Sequence, residues 1–205
     1  MTLNSRLVNL AGLARQLVES ALVSPIGGSV SLRWEDQCYI SPREARLDRL
    51  SAADFIPLKV EDGPNSWQIQ RASAVYPDHL ACYHTRPDAA TVLHLQLTNS
   101  TALGCAGLEL GALTPDFYRV VGPAVPLLPY LPPGSSQSAE AIGTAIAGHN
   151  AVLLRNQGIV VISSSSDEAF VRCQVIEKAA HVVLWAHAAT GNCSFLSPQQ
   201  MAELD

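Results

Sequence analysis

Residues 71–100 read RASAVYPDHLACYHTRPDAATVLHLQLTNS. A loop is followed by a short helix from Pro77 to about Thr85, a turn at Arg86-Pro87-Asp88 and a strand from Thr91 to Leu97. Side chains alternate along a strand, so Val92, His94 and Gln96 share one face while Leu93, Leu95 and Leu97 share the other. Polar groups are costly to bury without partners, so a His and a Gln side by side on an apolar strand mark a site or the remains of one.

Working outward, residues 5–22 carry leucine and alanine at helical spacing and read as an amphipathic helix, with Asn4 as its cap. Pro25-Ile26-Gly27-Gly28 breaks it. Residues 29–34 and 38–41 then form a hairpin around Glu35-Asp36-Gln37. Residues 47–55 read as a helical turn, and IPLKV (56–60) and WQIQ (67–70) as strands paired across Glu61-Asp62-Gly63-Pro64. Past the opening stretch come a short helix over 100–106 and a proline-rich apolar loop over 123–134 with an edge strand near 125–129. A helix over 138–147 follows, then two strands about the turn Asn156-Gln157-Gly158. The serines and acids at 165–168 cap a last helix running to about 189, and residues 190–205 read as a loose tail. Together these elements predict one domain over 1–205, with its core at about 7–189. The architecture is a three-layer α/β/α sandwich around a mixed, largely antiparallel sheet.

The composition limits what the chain does. It has 205 residues, 48% of them hydrophobic, and a net charge of -5 from 18 acidic and 13 basic residues. The basic residues are scattered, which argues against nucleic acid or a membrane surface as partner. Lys59 and Lys178 are the only lysines and both lie next to acidic residues, which makes them poor Schiff-base candidates. Five widely spaced cysteines without a CxxC pair fit reduced thiols, and no signal-peptide core or membrane span is visible, so the expected location is the cytoplasm. Of the six histidines, only His94 has a polar neighbour at i+2 on a strand. His79, His84, His149, His181 and His187 read as structural, the first two as helix-packing residues.

Several stretches, taken in order, carry a resemblance: Gly27 to Arg33, Ser41-Pro42, Arg71 to Val75, Pro77 to Leu80, Arg86 to Ala89, His94 to Gln96, and Leu153 to Gly158. They are similar to the class II aldolase/adducin family over about residues 7–189. That resemblance implies the α/β/α fold, a homo-oligomer of four-fold symmetry and an active site between subunits. It implies a zinc or similar ion held by two histidines of an HxH strand and one of an NHG turn, with a glutamate as acid/base at the end of a PSSE-like loop. It also implies phosphate contacts from a Gly-Asn pair, the loop serines and a TPSG-like turn. The family's reactions include aldol cleavage, epimerisation, dehydration and decarboxylation, and adducin heads use the fold without catalysis.

At the matching positions this chain carries other chemistry. The ligand positions are His94, Gln96 and Gln157, and the acid/base position is Val75. Ser29 stands for the phosphate-loop asparagine, Ala74 for a loop serine, and Ser41-Pro42-Arg43-Glu44 for the TPSG-like turn. One imidazole and two neutral amides are a poor zinc set, so no metal and no cofactor is expected. Valine transfers no proton, which removes a contribution of roughly 10² to 10⁴ in rate.

The leading expectation is a binding or partner subunit that has lost the zinc-dependent site, paired with further copies of itself or with a catalytic paralogue. The alternative is a rebuilt lyase in which Gly28, Ser29, Arg43, Glu44, Ser73, His94, Gln96 and Gln157 hold a small anionic ligand, a sugar phosphate or carboxylate. Tyr118 or Tyr130 of a neighbouring subunit would then offer a phenol. A residual metal-dependent lyase drawing a ligand such as Glu44 ranks third.

Overall fold

The computed structural model describes residues 2–61 and 63–204. A seven-stranded sheet runs through the middle. Its strands are β1 (Gly28–Trp34), β2 (Gln37–Ile40), β3 (Ile56–Lys59), β4 (Thr91–Leu95), β7 (Leu127–Leu128), β8 (Ala151–Leu154) and β9 (Gly158–Ser163), in the order β3-β2-β1-β4-β9-β8-β7. Every pairing is antiparallel except β7 with β8. A two-stranded ribbon, β5 (Leu110–Gly111) with β6 (Ala124–Val125), stands apart from it.

The alternation along β4 divides the core. Leu93, Leu95 and Leu97 join one cluster with α1 (Leu3–Glu19), α4 (Thr98–Ala106), α5 (Pro115–Val121) and α7 (Ser166–Thr190). Val92 joins the other, with α3 (Tyr76–Thr85) and α6 (Ser136–Ile146). Both faces of the sheet are therefore covered by helices, which is the three-layer α/β/α arrangement expected from the sequence. His94 falls on the α3 face, as its parity with Val92 requires.

β4 lies mid-sheet because both of its edges are paired. His94 sits between Ser29 of β1 and Val160 of β9. Arg86 fixes the approach of α3 to this sheet. Its guanidinium pairs with Asp88 at 2.6 Å and donates to the carbonyls of Ile146 and His149 at the end of α6, joining the two helices on that face.

The structure corrects several expected elements. Trp67–Gln70 is not a strand. It lies in α2 (Ser66–Arg71), opened by a capping box in which the Asn65 side chain accepts from Gln68 N and the Gln68 side chain accepts from Asn65 N. β3 pairs instead with β2, and within the intended turn Asp62 lies outside the described residues. The segment 47–55 contains only a 3₁₀ turn at Leu47–Arg49, without a side-chain cap. Thr2 rather than Asn4 caps α1, and α4 starts at Thr98, ahead of the expected position. The tail is docked rather than loose. Leu196 N donates to Ala112 O at 2.8 Å, Cys193, Leu196 and Met201 pack on the core, and α8 (Pro198–Ala202) carries its own capping box.

Candidate functional site

Gly28, the 42–45 and 73–75 loops, His94, Gln96 and the Asn156-Gln157 turn meet at the C-terminal end of β4, around a cleft of about 480 Å³, whereas Arg86 and Asp88 lie away from it, beside Asn150 and Ser163. Its walls include Gly28, Arg43, Glu44, Ser73, Val75, His94, Gln96 and Gln157, joined by Tyr130 and Asn156. Two backbone loops make one wall. Pro42 bridges Ala72, Arg43 N donates to Arg71 O at 2.7 Å, and Ser73 N donates to Ser41 O at 3.1 Å, so the 41–45 and 72–75 loops are held edge to edge. Glu44 sits there at φ 56°, in the sparsely populated left-handed region.

Two glycines let the chain close over the end of β4. At Gly28 a Cβ would lie 2.3 Å from the His94 carbonyl oxygen, and at Gly158, where φ is 112°, it would lie 2.1 Å from the Leu95 carbonyl oxygen. Any side chain at either position would push the neighbouring loop off the strand, so glycine there follows from close backbone approach.

Not every predicted residue faces the cleft. Ser29 is buried, and its hydroxyl is bonded to His79 Nε2 at 2.8 Å. Ser31 Oγ meets the other ring nitrogen of His79 and the Tyr83 hydroxyl, each at 2.8 Å. The His79 ring thus pins α3 to β1 with both nitrogens satisfied. Burial, helped by the nearby His94, pushes its pKa down to about 3, so the ring stays neutral. His79 therefore packs its helix, as expected, whereas His84 is half-exposed and lies 4.0 Å from Glu61. Tyr118 lies on α5, across the sheet, where it packs against the other core cluster.

Among the residues that do face the cleft, the polar atoms are unevenly satisfied. Gln157 is buried. Its amide nitrogen donates to the Leu131 carbonyl, and its Oε1 has no partner. Gln96 is exposed, and only its backbone N–H is tied, to Gly27 O at 2.8 Å. His94 is nearly buried, with Nδ1 turned inward to Asp78 Oδ2 at 3.4 Å, an ion-pair distance whose geometry falls short of a formed hydrogen bond. Asp78 is fully buried, and no hydrogen bond reaches either of its oxygens.

Sequence reasoning missed Asp78. The helical spacing of Asp78, His79, Cys82 and Tyr83 stands in the sequence, but that this stripe faces inward is seen only once α3 is packed on the sheet.

The three positions that the family resemblance gives as metal ligands do not by themselves fit a zinc site, although Glu44 adds a carboxylate to the cleft. Zinc is held by imidazole, thiolate and carboxylate, and the residues at those three positions, His94, Gln96 and Gln157, offer one imidazole and two neutral amides. Among the described residues, no group of three or more His, Cys, Asp or Glu side chains comes together to hold a metal ion.

A mixed sheet between helical layers, with a cleft where the HxH-like and NxG-like segments converge, defines a class II aldolase-like protein. Residues 8–184 match the family profile described as "Class II Aldolase and Adducin N-terminal domain", and the chain belongs to that family. It is 25% identical over 198 residues to the L-fuculose phosphate aldolase of Escherichia coli K12, covering 93% of this chain and 91% of that one. It is 29% identical over 174 residues to the 3-oxo-tetronate 4-phosphate decarboxylase of Haemophilus influenzae, covering 82% and 81%. Among solved structures it is similar to YgbL of Klebsiella pneumoniae, described as a candidate aldolase/epimerase/decarboxylase. That match has a TM-score of 0.88, 25% identity and full coverage of both chains.

Proposed function

We propose that this chain uses the family cleft to bind a small anionic ligand without a metal, and that it has lost zinc-dependent aldol chemistry. The observation that carries the reading is the donor set at the end of β4: one imidazole, two amides, and Val75 lining the wall where the family places its acid/base glutamate. An aldol cleavage of the family type needs a Lewis acid to stabilise the enediolate and, at the position of Val75, a carboxylate to move the proton, and neither is supplied there. Arg43, on the same wall, offers a guanidinium to an anion. By family resemblance the protein assembles as a homo-oligomer, a tetramer, in the cytoplasm, with a catalytic paralogue as a further candidate partner.

Metal analysis of protein purified without chelator tests this reading. The expected zinc and manganese content is far below one ion per chain, and a stoichiometric content of either overturns it.

A second reading, a rebuilt lyase acting on a sugar phosphate or carboxylate, draws support from the Asp78–His94 contact, since an oriented imidazole can move a proton without a metal. It requires turnover of such a substrate that is lost in His94→Gln. A wild-type protein inert toward both classes removes it.

A further inference from the structure

Asp78 poses a problem that the family comparison does not solve. A fully buried carboxylate without a hydrogen-bond donor is stable only when something nearby balances it. His79, its neighbour in sequence, has both ring nitrogens taken by Ser29 and Ser31. Among the described residues, the potential cation at ion-pair distance is His94, with Nδ1 at 3.4 Å. Distances between paired catalytic groups are commonly long in the free protein and shorten when a ligand arrives. With Nδ1 directed inward, Nε2 is the ring nitrogen left for the cleft. Gln157 also lines the cleft, and its Oε1 is a second buried atom without a partner among the described residues, its amide nitrogen being already committed.

We propose that Asp78 is a positioning residue that holds His94 as its Nδ1–H tautomer, so that His94 Nε2 and Gln157 Oε1 together form a two-acceptor site for the hydroxyl groups of a small polyhydroxy anion. This rests on the non-metal reading of the same cleft and deepens it: the space that a cation would organise is organised by a carboxylate–imidazole pair. Each acceptor needs a donor from the ligand, and neighbouring hydroxyls on one short carbon chain supply two. An anion of the same skeleton without hydroxyls would leave both acceptors unpaired, which is how a polar site discriminates.

The full-length protein, labelled with ¹⁵N-histidine, gives the direct test. Long-range ¹H–¹⁵N spectra, with His94 assigned by loss of its signals in His94→Gln, are expected to show a protonated Nδ1 and an unprotonated Nε2. In Asp78→Asn the amide donates toward Nδ1 and the ring should switch to the Nε2–H form. Calorimetry with D-glycerate and propionate reads the consequence. Glycerate is expected to bind about tenfold or more tighter than propionate, roughly the effect of one net hydrogen bond. Asp78→Asn should remove that preference.

An Nε2–H tautomer in the wild type overturns the pair. Equal binding of glycerate and propionate, including no binding of either, overturns the two-acceptor site. If Asp78→Asn does not fold, the wild-type spectrum still decides the tautomer, and Gln157→Met tests the second acceptor through the same glycerate preference. Stoichiometric zinc in the wild type would fail the non-metal reading itself, whereas zinc-free protein with the opposite tautomer fails only the pair.

Discussion

His79 and His94 project onto the same face of neighbouring layers and have opposite fates. Two serines of β1 saturate His79, while His94 keeps one nitrogen for the cleft. The consequence for His79 can be measured. Its folded pKa is pushed down from 6.5 to about 3, so between those values the unfolded chain takes up a proton that the native ring refuses. Stability is therefore complete above about pH 6.5 and is lost as pH falls toward 3. The limiting slope is about 1.4 kcal/mol per pH unit for one proton. Urea unfolding at pH 7, 6 and 5 should show His79→Gln losing stability less steeply than the wild type by up to that slope. Parallel slopes would mean that the native ring accepts the proton after all. The slope is the quantity to compare, since the substitution also disturbs Ser29 and Ser31.

Among the elements, α4 and α7 show how one helix can complete another. Leu97, at the N-cap of α4, offers no side-chain oxygen to the first free N–H groups. Glu177, from the middle of α7, supplies them. Oε1 accepts from Asn99 N at 2.6 Å and Asn99 Nδ2 at 2.9 Å, and Oε2 accepts from Ser100 N at 2.9 Å and Ser100 Oγ at 2.8 Å. Replacing one of these oxygens with an amide group places a donor against donors. Glu177→Gln should therefore cost roughly 2 to 3 kcal/mol, or a fall in Tm of about 4 to 12 °C for a chain of this size. Calorimetric melting checks it, and a fall under about 1 °C would mean that α4 is capped adequately by water. This interaction spans residues far apart in the sequence, so nothing local announces it.

The same distinction explains which elements could be read. β4 is marked by its alternation, α3 by the proline in its first turn and α7 by its Ser165 cap, and all three stand close to where the pattern puts them. Trp67–Gln70 alternates apolar and polar like a strand, yet the reciprocal Asn65–Gln68 cap outweighs a four-residue alternation. The tail looks loose because its apolar residues are few, and it is held by β5 and the core, partners that cannot be seen from residues 190–205 themselves.

At the scale of the whole molecule, the family signatures were legible because each marks a backbone requirement: glycine where two loops cross the end of β4, and Arg86 where α3 and α6 are tied. The chemistry on that scaffold was legible only in part. The substitutions at 75, 96 and 157 stand in the sequence, but the buried carboxylate behind His94 comes into view only when α3 is laid on the sheet. Asp78 also bears on whether the family centre can be rebuilt. A metal-binding imidazole commonly donates its second N–H to a carboxylate, so a pair that orients Nε2 toward the cleft also suits a ligand histidine. The limiting deficit should then be the two amides. Gln96→His with Gln157→His is expected to take up about one zinc per chain. At zinc one-hundredfold above Kd, binding should stabilise the fold by about 2.7 kcal/mol. Adding Val75→Glu should leave metal content at about one ion per chain, since the family resemblance gives that position a proton-transfer role. Metal analysis and melting with and without zinc read both steps. If the double variant stays metal-free, the two amides are not what keeps zinc out, and the shape of the cleft differs from a zinc site as well as its donors.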